Sequence, residues 1–227
     1  MINVKNTILI HLLDMVAPHL CSRCGQIGTP FCGNCKYDIT HEVIPCCVLC
    51  KKNATNGICP DHKAPFAQAW SVGERSGGLQ RLIGNFKFQN LKSAGKELAS
   101  LLDMILPTLP PTTVLVSIPT TPAHIRERGY DHALLITQEL GIIRKIPVRS
   151  VLKRGNHLTQ HHGDRKTRLR QAKTAFYVEG VLDSTLTYLL IDDVVTTGAT
   201  ITRAAQLLKD AGATTVLVAV TSYQPLD

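Results

Sequence analysis

The sequence has no cysteine after Cys59 and only one tryptophan, and aromatic residues occupy only 5% of its 227 positions. Its first apolar stretch, residues 8–16, is interrupted by His11 and Asp14 and is far too short to span a bilayer. No small-residue cleavage site accompanies it, so we expect neither an export signal nor a transmembrane segment. Without export a disulfide scaffold is excluded, and we expect a cytoplasmic protein. The apolar residues of this stretch share one face, which predicts a short helix.

Composition and charge limit the architecture and the class of ligand. Charged residues are 19% and hydrophobic residues 44% of the chain, which excludes general disorder and allows one core plus a small module. We expect two domains, residues 1–66 and residues 67–227. The net charge is +8, and residues 120–175 hold 12 Lys or Arg against 4 Asp or Glu. A localised basic surface attracts phosphates of nucleotides, pyrophosphate or nucleic acid.

All eight cysteines lie between Cys21 and Cys59, and seven of them fall into pairs with metal-ligand spacing. A C-x-x-C turn brings two thiolates roughly 3.5–4 Å apart, so two such turns complete a tetrahedral zinc site. Four consecutive pairs therefore predict two structural zinc ions. Sequential and interleaved groupings both satisfy the pattern, and the leftover Cys46 could replace Cys47. The predicted ligands are Cys21, Cys24, Cys32, Cys35, Cys47, Cys50, Cys59 and His62.

Beyond the cysteine pairs, apolar strands alternate with amphipathic helices. This alternation is typical of an α/β domain with a mainly parallel sheet flanked by helices. Strands are predicted within residues 69–73, 114–118, 146–152, 176–178, 187–191 and 214–220. Helices are predicted within residues 77–86, 94–105, 130–140 and 200–211.

The most informative segment runs from a buried strand through two acids into a run of small residues. Asp192 and Asp193 follow the apolar residues 187–191, at the end of a strand where α/β folds bind ligands. The next residues open a helix, where free backbone N–H groups and the helix dipole favour an anion. Gly198 permits close approach of the backbone. A phosphate at one end and carboxylates for a vicinal diol at the other predict a site for ribose 5-phosphate.

At this segment the sequence resembles the type I phosphoribosyltransferases. From residue 21 to residue 221 it resembles the ComF/GntX family, bacterial proteins linked to natural competence and DNA use. Besides the cysteine pairs and the acidic segment, the resemblance rests on Phe86-Lys87-Phe88, Ser117-Ile118-Pro119, Arg126-Glu127-Arg128-Gly129-Tyr130 and Thr159-Gln160. It implies a type I phosphoribosyltransferase fold with a small N-terminal zinc-binding module.

The resemblance also implies a role for each part of the site. Asp192 and Asp193 would bind the ribose hydroxyls of phosphoribosyl pyrophosphate, with Mg²⁺ bridging the diol and the pyrophosphate. The turn of Ile118 and Pro119 would be the pyrophosphate loop, and residues 154–172 a mobile loop that closes over the site. The 5-phosphate would be held by Val195, Thr196, Thr197, Gly198, Ala199 and Thr200. Candidate cations for the pyrophosphate charge are Arg126, Arg128 and Arg154.

Several positions depart from the family pattern. Asp131 and His132 stand where the family has Asn and Gln, Gly163 stands where it has Leu, and Gln171 stands where it has Asn. The acidic segment and the residues after it are intact. The departures therefore bear on the acceptor more than on phosphate binding.

Three functions are compatible with the sequence. The first is a phosphoribosyltransferase whose acceptor the sequence does not identify. The second is a non-catalytic, zinc-dependent nucleic-acid-binding factor that uses the phosphoribosyl site as a sensor, and the third is a docking module on an α/β scaffold. The resemblance favours a role in natural competence, with single-stranded DNA and competence helicase or recombination proteins as partners, and with any membrane association made through partners.

Overall fold

The computed structural model describes residues 18–154 and 176–224. The helix predicted within residues 8–16 lies outside these residues, as does all of the predicted mobile loop after Arg154. Thr159, Gln160, Gly163 and Gln171 belong to that undescribed part.

The secondary structure alternates as the sequence pattern predicts. The described helices are α1 (Gly33–His41), α2 (Gly77–Phe88), α3 (Ser93–Ile105), α4 (Pro122–Arg128), α5 (His132–Arg144) and α6 (Ala199–Asp210). The described strands are β1 (Gln68–Ser71), β2 (Thr113–Ser117), β3 (Leu152–Arg154), β4 (Phe176–Val178), β5 (Thr187–Val195) and β6 (Thr215–Tyr223). None of these helices combines the length and the apolar composition that crossing a membrane requires.

Four parallel strands form the central sheet, in the order β1-β6-β5-β2. In the register of β5 and β6, Leu189 lies opposite Leu217 and Asp192 opposite Val220. β3 and β4 form a separate antiparallel pair. Because the central strands all run the same way, their carboxyl ends meet at one edge, where this class of fold binds ligands. The predicted α/β class, with a mainly parallel sheet flanked by helices, is confirmed.

Each face of the sheet has its own apolar core. Leu82 and Leu98 of α2 and α3 are buried with Leu189 on one face. Ile201 of α6 is buried with Leu190 on the other face. The assignment of adjacent leucines to different cores is the period-two pattern of a strand that is covered on both sides.

The cysteine-containing residues 21–62 contribute to both cores. Phe31 is fully buried in the core of α2 and α3, whereas Val48 is buried in the core of α6. Lys36 of α1 forms an ion pair with Glu97 of α3 at 2.5 Å. The division of the chain at residues 66 and 67 stays a prediction, and the described parts on either side of it share apolar contacts.

Four features differ from the predicted pattern. Within residues 146–152, where a strand is predicted, Val148 forms only an isolated bridge to Leu115, and β3 begins at Leu152. Helices α1 and α4 are additional to it; α1 buries only Cys35 and α4 buries no residue, so neither has the apolar period that predicts a helix. Helix α5 begins at His132, two residues later than predicted, because Asp131 caps it. β5 continues past the predicted end at residue 191 to Val195, so both aspartates lie inside the strand.

Candidate functional site

The two adjacent aspartates of β5 have different surroundings. Oδ2 of Asp193 lies 2.7 Å from Nζ of Lys87 on α2, and both side chains are mostly buried, with 13% and 14% of their surface exposed. Oδ1 of Asp192 accepts the backbone N–H of Asp193 at 2.8 Å. Asp193 is therefore bound by a cation, while Asp192 forms no ion pair with the residues that the structure describes.

Ionisation of Asp192 is disfavoured in the absence of a bound cation. Burial raises the pKa of Asp192 to about 8, and the charge of Asp193 acts in the same direction, against smaller opposing effects of the Asp193 N–H and of Lys87. A divalent cation would favour the ionised form of Asp192, and carboxylate oxygens are ligands that Mg²⁺ accepts. The acidic pair therefore fits the Mg²⁺ that the resemblance implies.

The residues after the acids, 195–200, form a turn into α6 that we call the phosphate loop. Gly198 is the N-cap of α6, with a φ of 77°, a left-handed conformation that favours glycine. The side chains of Thr196 and Thr197 are exposed. Within the described parts of the chain, the N–H groups of Thr196, Thr197 and Gly198 form no hydrogen bond. Three donors are thus available to an anion at the start of a helix.

The turn after β2, the predicted pyrophosphate loop, is fixed at both ends. The N–H of Ile118 donates to the carbonyl of Ile191 at 3.0 Å, which ties the turn to β5. The carboxylate of Asp131 accepts the N–H and the hydroxyl of Thr120 at 3.1 and 2.9 Å. It also accepts the N–H of Leu134 at 3.0 Å, which caps α5. The backbone N–H groups of Ile118 and Thr120 are therefore already used inside the protein.

The three candidate arginines are placed differently. Arg154 donates from Nε to the carbonyl of Pro119 at 3.2 Å, so it reaches the turn after β2. Arg128 lies with its guanidinium carbon 5.2 Å from the ring centroid of Phe88. Arg126 is exposed on α4. Of the three, Arg154 is the one that contacts the predicted pyrophosphate loop in the described part of the chain.

Sequence reasoning did not assign Lys87 or His132 to the site. His132 is 1% exposed, and neither of its ring nitrogens has a hydrogen-bond partner among the described residues. Its ring centroid lies 4.8 Å from that of Phe86 and 4.5 Å from that of Tyr130. Burial lowers the pKa of His132, and the negative charge of Asp193 opposes this effect. A signal existed for both residues, since Lys87 is the centre of one family motif and His132 departs from another.

The structure groups the predicted metal ligands sequentially. Sulfur atoms around a tetrahedral zinc lie about 3.8 Å apart; those of Cys24 and Cys32 are 3.7 Å apart, and those of Cys50 and Cys59 are 3.5 Å apart. Cys46 belongs to neither group. The first cluster is Cys21, Cys24, Cys32 and Cys35, the second is Cys47, Cys50, Cys59 and His62, and within each the ligand atoms lie within 4.8 Å of one another. Both clusters could hold zinc.

Each cluster contains one thiol that ionises readily. Burial opposes the ionisation of Cys21, but hydrogen bonds from nearby backbone N–H groups outweigh it and lower the pKa of Cys21 to about 6. The same balance lowers the pKa of Cys47 to about 7. Nδ1 of His62 lies 3.1 Å from Sγ of Cys59, so the imidazole completes the second set. Thiolate and imidazole are the donors that zinc prefers, and the residues present fit it.

The second cluster lies against the phosphate loop. A Cβ added to Gly198 would lie 2.2 Å from Cδ2 of Leu49, which stands between two of the cluster's ligands. Nζ of Lys51 lies 4.8 Å from the ring centroid of Tyr223 in β6, the strand paired with β5. The metal-ligand segment and the loop are therefore in direct contact.

Comparison with known proteins identifies the family. Competence protein F of Haemophilus influenzae is 31% identical over 228 residues, covering 93% of this chain and 95% of that protein. The chain belongs to the ComF family. DNA utilization protein YhgH of Escherichia coli K12 is 28% identical, covering 88% of this chain and 86% of YhgH. Competence protein ComFC of Streptococcus pneumoniae is 27% identical, covering 86% and 83%. None of the protein-family models searched matches the chain.

Two solved enzymes resemble part of this ComF-family chain. The allosteric regulatory enzyme of purine biosynthesis is 20% identical with a TM-score of 0.39, over 57% of this chain and 25% of the enzyme. Glutamine phosphoribosylpyrophosphate amidotransferase from B. subtilis, complexed with ADP and GMP, is 19% identical with a TM-score of 0.39, over 57% and 26%. The chain spans about a quarter of each enzyme, and nothing of their activity transfers with so limited a match.

Proposed function

We propose that this ComF-family chain binds phosphoribosyl pyrophosphate with Mg²⁺ in a type I phosphoribosyltransferase-like domain, and acts on incoming single-stranded DNA in natural competence. The observation that carries the proposal is the end of β5, where two acids lead into a turn with three N–H groups that have no partner among the described residues, at the start of α6. The competence role is supported by relatives named competence proteins and DNA utilization proteins.

In this function the acids bind the ribose and the phosphate loop binds the 5-phosphate. Asp192 and Asp193 accept the ribose hydroxyls, and Lys87 offsets one of their charges. Bound Mg²⁺ would be held at these carboxylates and would supply charge stabilisation for the pyrophosphate. Arg154, at the turn after β2, adds a fixed cation for the same charge. The two cysteine clusters hold zinc that stays structural, because four protein ligands fill each site.

Ligand binding to the metal-loaded full chain tests this proposal. Phosphoribosyl pyrophosphate with Mg²⁺ at 100 times its Kd should stabilise the protein by about 2.7 kcal/mol, measured as a thermal shift. Asp192→Ala combined with Asp193→Ala should abolish the shift, whereas Asp210→Asn, at the far end of α6, should leave it intact. The absence of any shift in the unaltered chain would refute binding.

Turnover distinguishes a transferase from a sensor. Pyrophosphate release should be followed with nucleobases, ribonucleotides and single-stranded DNA as acceptors. Release that requires Asp192 identifies a phosphoribosyltransferase and its acceptor class. Tight binding without release, together with a change in DNA affinity when phosphoribosyl pyrophosphate is bound, identifies the non-catalytic function.

Single-stranded DNA would be contacted through the basic segment. Its described part includes the exposed side chains of Arg126, Lys145 and Arg149. If these contact phosphates, the logarithm of the affinity should fall with the logarithm of salt concentration, with a slope of about −0.7 for each contact. Replacing all three by Ala should flatten the slope by about 2, whereas Lys96→Ala on α3 should leave it unchanged. An unchanged slope in the triple variant would remove this surface from the proposal.

A further inference from the structure

Leu49 belongs to the second cysteine cluster but contacts the phosphate loop. It stands between Cys47 and Cys50, so two metal ligands flank it in sequence. Its side chain packs against the core formed by α6, β5 and β6. Its Cδ2 occupies the space beside Gly198 into which a Cβ would extend, at 2.2 Å from that position.

The backbone that carries Leu49 is itself fixed. The N–H of Cys47 donates to the carbonyl of Lys52 at 2.8 Å, and the N–H of Lys51 donates to the carbonyl of Cys47 at 2.8 Å. The N–H of Val48 donates to the carbonyl of Gly57 at 2.9 Å, which ties the turn to the loop that carries the remaining ligands. A metal held by Cys47 and Cys50 would therefore hold Leu49 in one position.

Gly198 is where this contact meets the predicted ligand site. It is buried, has a φ of 77°, and is the N-cap of α6; its N–H forms no hydrogen bond with the described residues. At the other end of the turn, the carbonyl of Val195 accepts the N–H of Gln224 at 2.7 Å. Gln224 follows Tyr223, whose ring lies beneath Nζ of Lys51. The second cluster thus contacts the protein near both ends of the phosphate loop.

We propose that Leu49 is a positioning residue, through which the second metal cluster holds the phosphate loop in the conformation that binds a phosphomonoester. The inference rests on the proposed function, because the bound group is the 5-phosphate of phosphoribosyl pyrophosphate. The conformation of the phosphate loop would then depend on the packing of the cysteine module. The first cluster, which packs on α2 and α3, has no such role.

Calorimetric titration with phosphoribosyl pyrophosphate and Mg²⁺ tests the role of Leu49, with zinc content measured on each sample. Leu49→Ala should weaken binding about tenfold, as expected for a coupled contact, while zinc stays at two ions per chain. Leu49→Met, of similar volume, should restore the affinity. Leu20→Ala, an exposed leucine beside the first cluster, is the matched control and should bind normally. If Leu49→Ala fails to fold, Leu49→Val should show a smaller loss.

A double-mutant cycle separates the contact from general destabilisation. Gly198→Ala introduces both backbone strain and a clash with Leu49, but only the clash disappears when Leu49 is replaced by Ala. Gly198→Ala should therefore weaken binding more in the unaltered chain than in the Leu49→Ala background. Equal losses in the two backgrounds, or normal binding by Leu49→Ala, would overturn the inference while binding by the unaltered chain upholds the proposed function. No binding by the unaltered chain would refute both.

Discussion

Lys87 and Asp193 form a mostly buried ion pair, with Nζ and Oδ2 2.7 Å apart, that joins α2 to the acidic end of β5. The pair lets two neighbouring carboxylates exist in one strand, because a fixed cation offsets one of them. It also fixes the end of α2 against the sheet edge. Lys87 therefore belongs to the candidate site although it lies about a hundred residues before the acids in the chain.

Breaking this pair should be costly. Lys87→Met leaves Asp193 mostly buried without its cation, and the free energy of unfolding should fall by about 3 kcal/mol. Lys87→Met combined with Asp193→Leu should recover most of the loss, since an apolar pair carries no unpaired charge. Urea denaturation of the metal-loaded protein measures both values.

An exposed ion pair provides the control for this experiment. Lys52 and Asp61 are 3.0 Å apart, but 69% and 67% of their side-chain surfaces are exposed. Lys52→Met should change stability by less than about 1 kcal/mol, because solvent screens the pair. Equal effects of Lys52→Met and Lys87→Met would contradict the buried role of Lys87.

Asp192 should make the protein less stable at alkaline pH. Its pKa is about 8 in the folded state, above the value of about 3.9 in an unfolded chain. Above about pH 4 the folded state keeps a proton that the unfolded chain loses, so this contribution to stability falls progressively as the pH rises from about 4 and is gone above about pH 8. Asp192→Asn cannot ionise, so its melting temperature should equal that of the unaltered chain near pH 4 and increasingly exceed it towards pH 8, by at least about 5 °C. Asp210→Asn keeps Asp192, so its melting temperature should follow that of the unaltered chain over the same pH range.

His132 should make the protein less stable as the pH falls below about 6.5. Burial lowers its pKa, so the unfolded chain binds a proton that the folded protein does not, below about pH 6.5. Stability contributed by neutral His132 is complete above that pH and is lost as the pH falls. His132→Gln should flatten the acid side of a melting profile taken between pH 5 and pH 7. His124→Gln, an exposed residue of α4, is the control and should not.

Local patterns predicted the elements that bury one apolar face. The helical spacing of Leu79, Leu82, Ile83 and Phe86 predicts α2, and all four side chains are fully buried. Helix α4 has no buried residue, so it gives no such signal. The end of β5 was placed too early because aspartate is rare in strands, and here the parallel partner β6 extends the pairing past Asp192.

Contacts between distant segments could not be predicted from local patterns. Spacing identified four ligand pairs, but only the fold shows that they group sequentially. Lys87 and Asp193 are far apart in the chain, and no local periodicity predicts that they form an ion pair. The contact of Leu49 with Gly198 likewise depends on where the cysteine module packs. The phosphate loop could be predicted from the sequence because all of its parts are consecutive in the chain.

Asp131 should fix both the turn after β2 and the start of α5. Its Oδ1 accepts the Thr120 hydroxyl and the Leu134 N–H, and its Oδ2 accepts the Thr120 N–H. Asp131→Ala removes all three bonds and should cost about 2 kcal/mol of stability. Asp131→Asn keeps an acceptor for the first two bonds but turns an amide donor towards the Thr120 N–H, so the cost should be about half as large. Urea denaturation measures the stability of each variant.

Binding of phosphoribosyl pyrophosphate separates the two roles of Asp131. Asp131→Ala frees the turn that the proposed function assigns to the pyrophosphate, so its affinity should fall about tenfold beyond any loss of folded protein. Thr121→Ala, which removes only the cap that accepts the His124 N–H on α4, should destabilise the protein without this loss of affinity. If both variants bind equally well, the anchoring of the turn by Asp131 makes no contribution to holding the pyrophosphate.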